Sequence, residues 1–109
     1  LRLNRIVANL VENAAVHGPS GGLVAVEVRQ DDDEAVIAIS DRGTGVASAD
    51  RERIFERFVR LDGNHPGTGI GLYLVKALVD AHGGTISVED APGGGARFEV
   101  RLPMGSPNQ

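Results

Sequence analysis

Two long stretches with apolar residues at helical spacing, each followed by strands joined through short polar turns, leave this chain few ways to fold. From Leu3 to Val16 the apolar residues Leu3, Ile6, Val7, Leu10, Val11 and Ala14 recur on one helix face, and Gly18-Pro19 supplies the stop. Gly21-Gly22 leads into a strand from Leu23 to Arg29, where Val24, Val26 and Val28 alternate with Ala25 and Glu27 as a half-buried strand would. The acidic run Asp31 to Glu34 reads as a solvated hairpin turn before a second strand from Ala35 to Ser40. Ser48 to Arg57 has helix-forming composition, with Ser48 or Asp50 as N-cap and Ile54, Phe55 and Phe58 as its apolar side. Leu61 to Thr68 has the composition of an exposed loop. Ile70 to His82 is a second long helix through Leu72, Leu74, Val75, Leu78 and Val79, ended by Gly83-Gly84. Strands from Thr85 to Glu89 and from Arg97 to Leu102 flank the Pro92 to Gly95 turn, so both strand pairs close as antiparallel hairpins. Three helical segments among about four strands require a sheet with helices over one face and the other face partly bare. The expected fold is α+β, a two-layer α/β sandwich.

With 109 residues, 41% of them hydrophobic, residues 1–109 form one domain with a modest core and a polar tail over 103–109. A net charge of −4 and an aromatic content of 4% offer neither a basic footprint nor a stacking surface, which argues against nucleic acid as a partner. The absence of cysteine excludes disulfides, thiolate metal sites and cysteine nucleophiles, and it fits a reducing compartment. No apolar run approaches the roughly 18 residues that cross a bilayer, and the helical pattern already under way at Leu1-Arg2-Leu3 reads as an excised, soluble domain.

Three polar sites carry the chemistry. Asn9 and Asn13 lie one helical turn apart on the side away from Leu3, Val7 and Leu10, and two amide oxygens at that spacing can share a hard cation such as magnesium. The same pair also suits a plain solvated face. Asp41-Arg42-Gly43-Thr44-Gly45 leaves a strand and turns where glycines permit close backbone approach, so Asp41 can accept a hydrogen bond from an exocyclic amine; an ordinary Asp-Gly turn is the alternative. Gly67-Thr68-Gly69-Ile70-Gly71-Leu72 opens the second long helix, where bare N–H groups at a positive helix end can cradle phosphate or simply form a hinge. It is neither a dinucleotide fingerprint, since Leu72 replaces the third glycine, nor a P-loop, since no Gly-Lys-Ser/Thr follows.

In sequence, these segments resemble the catalytic, ATP-binding domain of sensor histidine kinases, within the wider superfamily of gyrase-type ATPases. Asn9-Leu10-Val11-Glu12-Asn13-Ala14 is similar to the family's N box, Asp41 to Gly45 to its G1 box, Arg53-Ile54-Phe55-Glu56-Arg57-Phe58 to its F box, and Gly67 to Leu72 to its G2 box. The Ala81-His82-Gly83-Gly84 helix end and the Phe98 to Pro103 strand follow the same pattern. The resemblance implies a Bergerat fold: a mixed, mainly antiparallel sheet, three helices on one face, and a flexible ATP lid over about residues 46–68. It implies ATP and Mg2+ as ligands, with Asn13 on the metal, Asn9 assisting, and Asp41 on the adenine amine. Gly67, Gly69 and Gly71 would line the phosphates, Phe55 and Phe58 would dock the lid, and Arg57 or Arg60 would reach the phosphates. His17, Gly43, Gly45, Val46, Ile54, Thr68, Ile70 and Leu72 would complete the nucleotide contacts. It further implies a histidine-bearing dimerisation domain as phosphoacceptor, a response regulator downstream, a monomeric isolated domain within a homodimeric protein, and a cytoplasmic location in a membrane-anchored sensor.

Some positions depart from the pattern. The superfamily's ATP hydrolases and serine kinases resemble one another in carrying a glutamate one turn before the metal asparagine. Asn9 stands there and has no basic lone pair at neutral pH, which favours transfer to an imidazole over activation of water. Glu12 is adjacent and remains a candidate base. Val16 replaces a common Lys or Arg, Ala96 replaces a common threonine behind the adenine, and the lid is short; each neutral hydrogen bond lost weakens ATP binding by about 1 kcal/mol. His17, His65 and His82 lie in no acceptor pattern, and His82 reads as a helix C-terminal cap.

Overall fold

The computed structural model describes residues 3–17, 24–43, 45–56 and 71–104; the side chains of Leu3, Asn13, Ala15, Val16 and His17 fall outside that description. The first apolar stripe forms helix α1 (Leu3–His17), one residue longer than its periodicity predicts. Its Ile6, Leu10 and Ala14 are buried at i, i+4 and i+8, with Val7 and Val11 packed beside them. The proposed stop at Gly18-Pro19 lies outside the described residues.

Strands β1 (Ala25–Asp31) and β2 (Glu34–Ser40) form the first hairpin, and β3 (Thr85–Asp90) and β4 (Ala96–Pro103) the second. The hairpins join through β2 and β4 into one sheet of order β1-β2-β4-β3. Every pairing among the described residues is antiparallel, so none of the parallel pairing of a mixed sheet occurs among them. The second long helix, α2 (Gly71–Ala81), packs against α1 and the sheet. It ends in a paired C-terminal motif: Gly84 N–H donates to the Val79 carbonyl at 3.0 Å and Gly83 N–H to that of Asp80 at 3.0 Å. As expected of a cap, His82 Nδ1 lies 2.8 Å from the Leu78 carbonyl.

Three expectations are corrected. The first strand runs two residues past Arg29 because Asp31 is neutralised by Arg101, 3.0 Å away, leaving only Asp32 and Asp33 for the turn. Asp32 takes φ 53°, a left-handed conformation that aspartate tolerates. Second, β1 is not half-buried: Val26 and Val28 are 51% and 71% exposed, because β1 is an edge strand and the helices cover β2, β3 and β4 instead. Third, the helical segment expected over Ser48 to Arg57 is two single 3-10 turns, Ser48–Asp50 and Arg53–Phe55. Neither Ser48 nor Asp50 caps it; Ala47 stands at the first cap position without a side-chain bond, and an uncapped short segment does not repay helix nucleation.

The sheet's two faces are closed by different means. On the helix side, Ile37, Ile39, Phe98, Val100 and Leu102 meet Ile6, Leu10, Val75 and Val79 in one core, and the Phe98 ring takes Phe55 edge-on at 6.2 Å. On the other side Val36 and Ala38 are also buried. The register sets them opposite Arg29, Arg101, Glu27 and Glu99. That face is partly bare, as expected, along β1 and β3, while over Val36 and Ala38 in its centre the charged side chains form an ion-pair lattice. Glu99 receives Arg97 Nη1 and Arg101 Nε, each at 2.9 Å, and Arg101 Nη1 reaches Asp31 at 3.0 Å and Glu34 at 3.2 Å.

The hydrogen bond from Arg101 holds the Asp31 carboxyl below its usual range, and that from Arg97 does the same for Glu99. A depressed folded-state pKa gives stability that is present above the unfolded value of about 4 and lost as pH falls through the folded value. The thermal midpoint should therefore hold from pH 7 to about 5.5 and drop steeply below about 4. In Glu99→Gln it should start lower and fall less on acidification, as followed by circular dichroism.

Candidate functional site

Asp41 follows β2 directly and is the one polar residue buried in the described core, at 4% exposure. Its backbone N–H donates to the Ala96 carbonyl at 2.9 Å, and the Ala96 N–H returns a bond to Asp41 Oδ1 at 3.0 Å. The Gly43 N–H donates to the same Oδ1 at 2.9 Å. One carboxylate oxygen thus holds two backbone donors, and among the described residues Oδ2 accepts none. The contact requires a glycine at 95. With φ 91°, Gly95 lies flat on the Asp41 carbonyl, and a Cβ would strike that oxygen and stand 2.8 Å from Arg42 Cα.

The chain leaves this loop through Gly45 and Val46. Val46 is half-buried against the core, and its carbonyl accepts from Arg51 Nε at 3.2 Å. Ile54 is buried, and half-buried Phe55 rests on Phe98, so these two residues of the F box pack into the core. On α1, Asn9 is half-buried and Glu12 exposed, while the backbone of Asn13 follows Asn9 by one turn. Gly71 opens α2 with no atom within 4 Å of the place a Cβ would take, and Leu72 packs on the core. Thr44, Arg57, Phe58, Arg60, Gly67, Thr68, Gly69 and Ile70, with the side chains of Asn13 and His17, lie outside the described residues. A separate cleft of about 450 Å³ between α2 and β3 is lined by Arg51, Glu52, Phe55, Lys76, Ile86, Ser87 and Val88. It shares only Phe55 with the candidate residues.

Sequence reasoning missed the partners of Asp41. Ala96 was singled out for a missing hydroxyl, yet its backbone is what Asp41 grips, across 55 positions of sequence. Arg51 carried no signal at all.

Residues 1–106 match the family described as histidine kinase-, DNA gyrase B- and HSP90-like ATPases. The alginate biosynthesis sensor protein KinB of Pseudomonas aeruginosa is 40% identical over 104 residues, covering 95% of this chain and 18% of KinB. Among solved structures, the mycobacterial sensor histidine kinase MprB superposes with a TM-score of 0.83 at 40% identity, covering 93% of this chain and 69% of that one. The ATP-binding domain of PrrB from Mycobacterium tuberculosis gives 0.76 at 39% identity, covering 95% and 68%. The chain belongs to the histidine kinase-, gyrase- and HSP90-like ATPase family, in the branch formed by the ATP-binding catalytic domains of sensor histidine kinases. It spans less than a fifth of the length of the first curated relatives it matches.

Gly95→Ala should lower the urea-unfolding free energy by about 1–3 kcal/mol, because no L-residue fits both that φ and the Asp41 carbonyl. A variant as stable as the parent would mean that the two loops do not meet as described.

Proposed function

We propose that this chain binds Mg-ATP and donates the γ-phosphoryl group to a histidine on a separate dimerisation domain, in a homodimeric sensor kinase that passes the phosphoryl group to a response regulator. The observation that carries the reading is Asp41: a buried carboxylate with one oxygen held by two N–H groups and the other without a donor among the described residues suits an adenine amine, which donates and carries no charge. Val46, Ile54, Phe55 and Leu72 supply the apolar lining for a purine, with His17, Gly43, Gly45 and Ile70 completing the contacts. Asn13, with Asn9, would hold magnesium through neutral amide oxygens. The ion would offset phosphate charge. Gly67, Thr68, Gly69 and Gly71 would receive the triphosphate at the start of α2, and Arg57 or Arg60 would neutralise charge developing on the transferred group.

Asn9 decides the acceptor. Phosphoryl transfer to neutral imidazole requires little base catalysis, so the protein supplies positioning and charge neutralisation while the nucleophile arrives from outside. Among the described residues no helix is long and apolar enough to cross a membrane. Use of ATP supports a cytoplasmic placement, and the resemblance to sensor kinases supports anchoring of the whole protein to a membrane.

Isothermal calorimetry tests the site. Asp41→Asn keeps the oxygen that binds Gly43 and Ala96 but replaces the free acceptor by a donor, so affinity for adenosine nucleotides should fall roughly 10- to 100-fold with little change in stability. Asn13→Ala should remove the magnesium dependence of binding. Parent-like binding by both variants, or none by the parent at millimolar nucleotide, would sink the assignment.

Transfer is tested by mixing the chain with labelled ATP and a histidine-bearing dimerisation domain: label should appear on the histidine, with slow phosphate release in its absence. Fast release that disappears in Glu12→Ala would instead make the chain a self-contained ATPase.

A further inference from the structure

We propose that Arg51 is a positioning residue for the adenine-binding loop, acting by tying the loop's exit to the β3–β4 turn; this rests on the nucleotide-site reading above. Its guanidinium spans two segments distant in sequence. Nε donates to the Val46 carbonyl at 3.2 Å, and Nη2 to Asp90 Oδ1 at 3.1 Å. Asp90 is the last residue of β3, where the turn carrying Gly95 and Ala96 begins. The turn is closed on itself by the Ala91 N–H to Gly95 carbonyl bond at 2.9 Å and by Gly94 N–H to Ala91 at 3.0 Å, so it moves as a unit.

The turn therefore touches the Asp41 loop at three places. Ala96 and Asp41 exchange two hydrogen bonds, the Gly95 carbonyl lies 3.3 Å from the Cβ position of Gly45, and Arg51 bridges Asp90 to Val46. The first two contacts hold the entry and middle of the loop. Arg51 holds the exit, where the chain runs on into the Ser48–Asp50 turn. Its planar fork lets one side chain serve both partners, which the single ammonium of lysine does less well. Asp90 is 82% exposed at its side chain, so the ion pair itself is weak and the bond to Val46 carries more of the effect. Both Arg51 groups are committed toward the base end of the site, which separates this role from that of an arginine on the phosphates.

The test uses the 109-residue chain, with Arg51→Met, Arg51→Lys and Asp90→Asn. Arg51→Met should weaken adenosine, ADP and ATP by the same factor, roughly three- to tenfold, by calorimetry. Arg51→Lys should fall between it and the parent. Asp90→Asn should show a smaller loss, and the Arg51→Met/Asp90→Asn double variant should bind no worse than Arg51→Met alone, since both act through one bridge. Without nucleotide, NMR-detected hydrogen exchange at the Asp41, Gly43 and Ala96 amides should accelerate in Arg51→Met, while the thermal midpoint moves little.

Losses confined to ADP and ATP would place Arg51 on the phosphates and overturn the proposal, as would unchanged affinity for all three ligands or unchanged exchange. If the parent itself binds no nucleotide, the site reading fails, and exchange at those amides still judges the bridge.

Discussion

The buried carboxylate of Asp41 is the constraint around which the rest of this domain is arranged. Removing a charge from water is expensive unless donors replace the lost hydration, and here the Gly43 and Ala96 N–H groups do so from two segments that meet only in the folded chain. Both donors converge on Oδ1, and the second oxygen, without a donor among the described residues, is the one that the proposed reading gives to the base. On that reading a base that presents an amine would complete the shell, whereas one that presents a carbonyl at the same place would meet acceptor with acceptor. Discrimination of that kind comes from penalising the wrong partner and needs no extra affinity for the right one.

A pocket wall of this sort requires a rigid support, and β4 supplies it. Along β4 the side chains alternate: Phe98, Val100 and Leu102 enter the helix-side core, and Arg97, Glu99 and Arg101 enter the ion-pair lattice. The strand is fixed on both faces and between two neighbours, so Ala96 at its start holds its place beneath Asp41. The lattice is valuable less for the strength of any pair than for its geometry: interlocking guanidinium and carboxylate groups lie over Val36 and Ala38 at the centre of a face that none of the described helices covers.

The features legible in the sequence are those written in local periodicity. Ile6, Leu10 and Ala14, or Val75 and Val79, announce a helix and its buried face within a few residues. Alternation at Phe98, Val100 and Leu102 does the same for a central strand, and Gly83-Gly84 marks a helix end. What failed was whatever depends on position within the assembled sheet. Val26 and Val28 alternate as a buried strand does, but alternation cannot tell an edge from a centre. Helix-forming residues between Ser48 and Arg57 say nothing about whether a cap is available. In the site, Asp41 was identifiable by its loop and by resemblance, but the identity of its partners was not, because Ala96 contributes backbone atoms that every residue has. The role of Arg51 is not legible either: its bridge joins the Val46 backbone to Asp90, and no local pattern links positions so far apart.

The same asymmetry bears on catalysis. Nucleotide-site chemistry divides into holding the donor and activating the acceptor, and only the second needs a base beside the metal ligand. With Asn9 in that position and Glu12 exposed on α1, the chain is equipped for the first task. A domain that binds ATP but activates no water preserves it until an acceptor of sufficient intrinsic nucleophilicity is presented, and a neutral imidazole satisfies that requirement at physiological pH. On the proposed reading the phosphoryl group would move only when another domain brings its histidine into line, so control would pass from the chemistry of this site to the geometry of that encounter. On that reading Asp41, held by Ala96 and β4, would set the base end of the donor in advance, and the encounter would have only the phosphate end left to align.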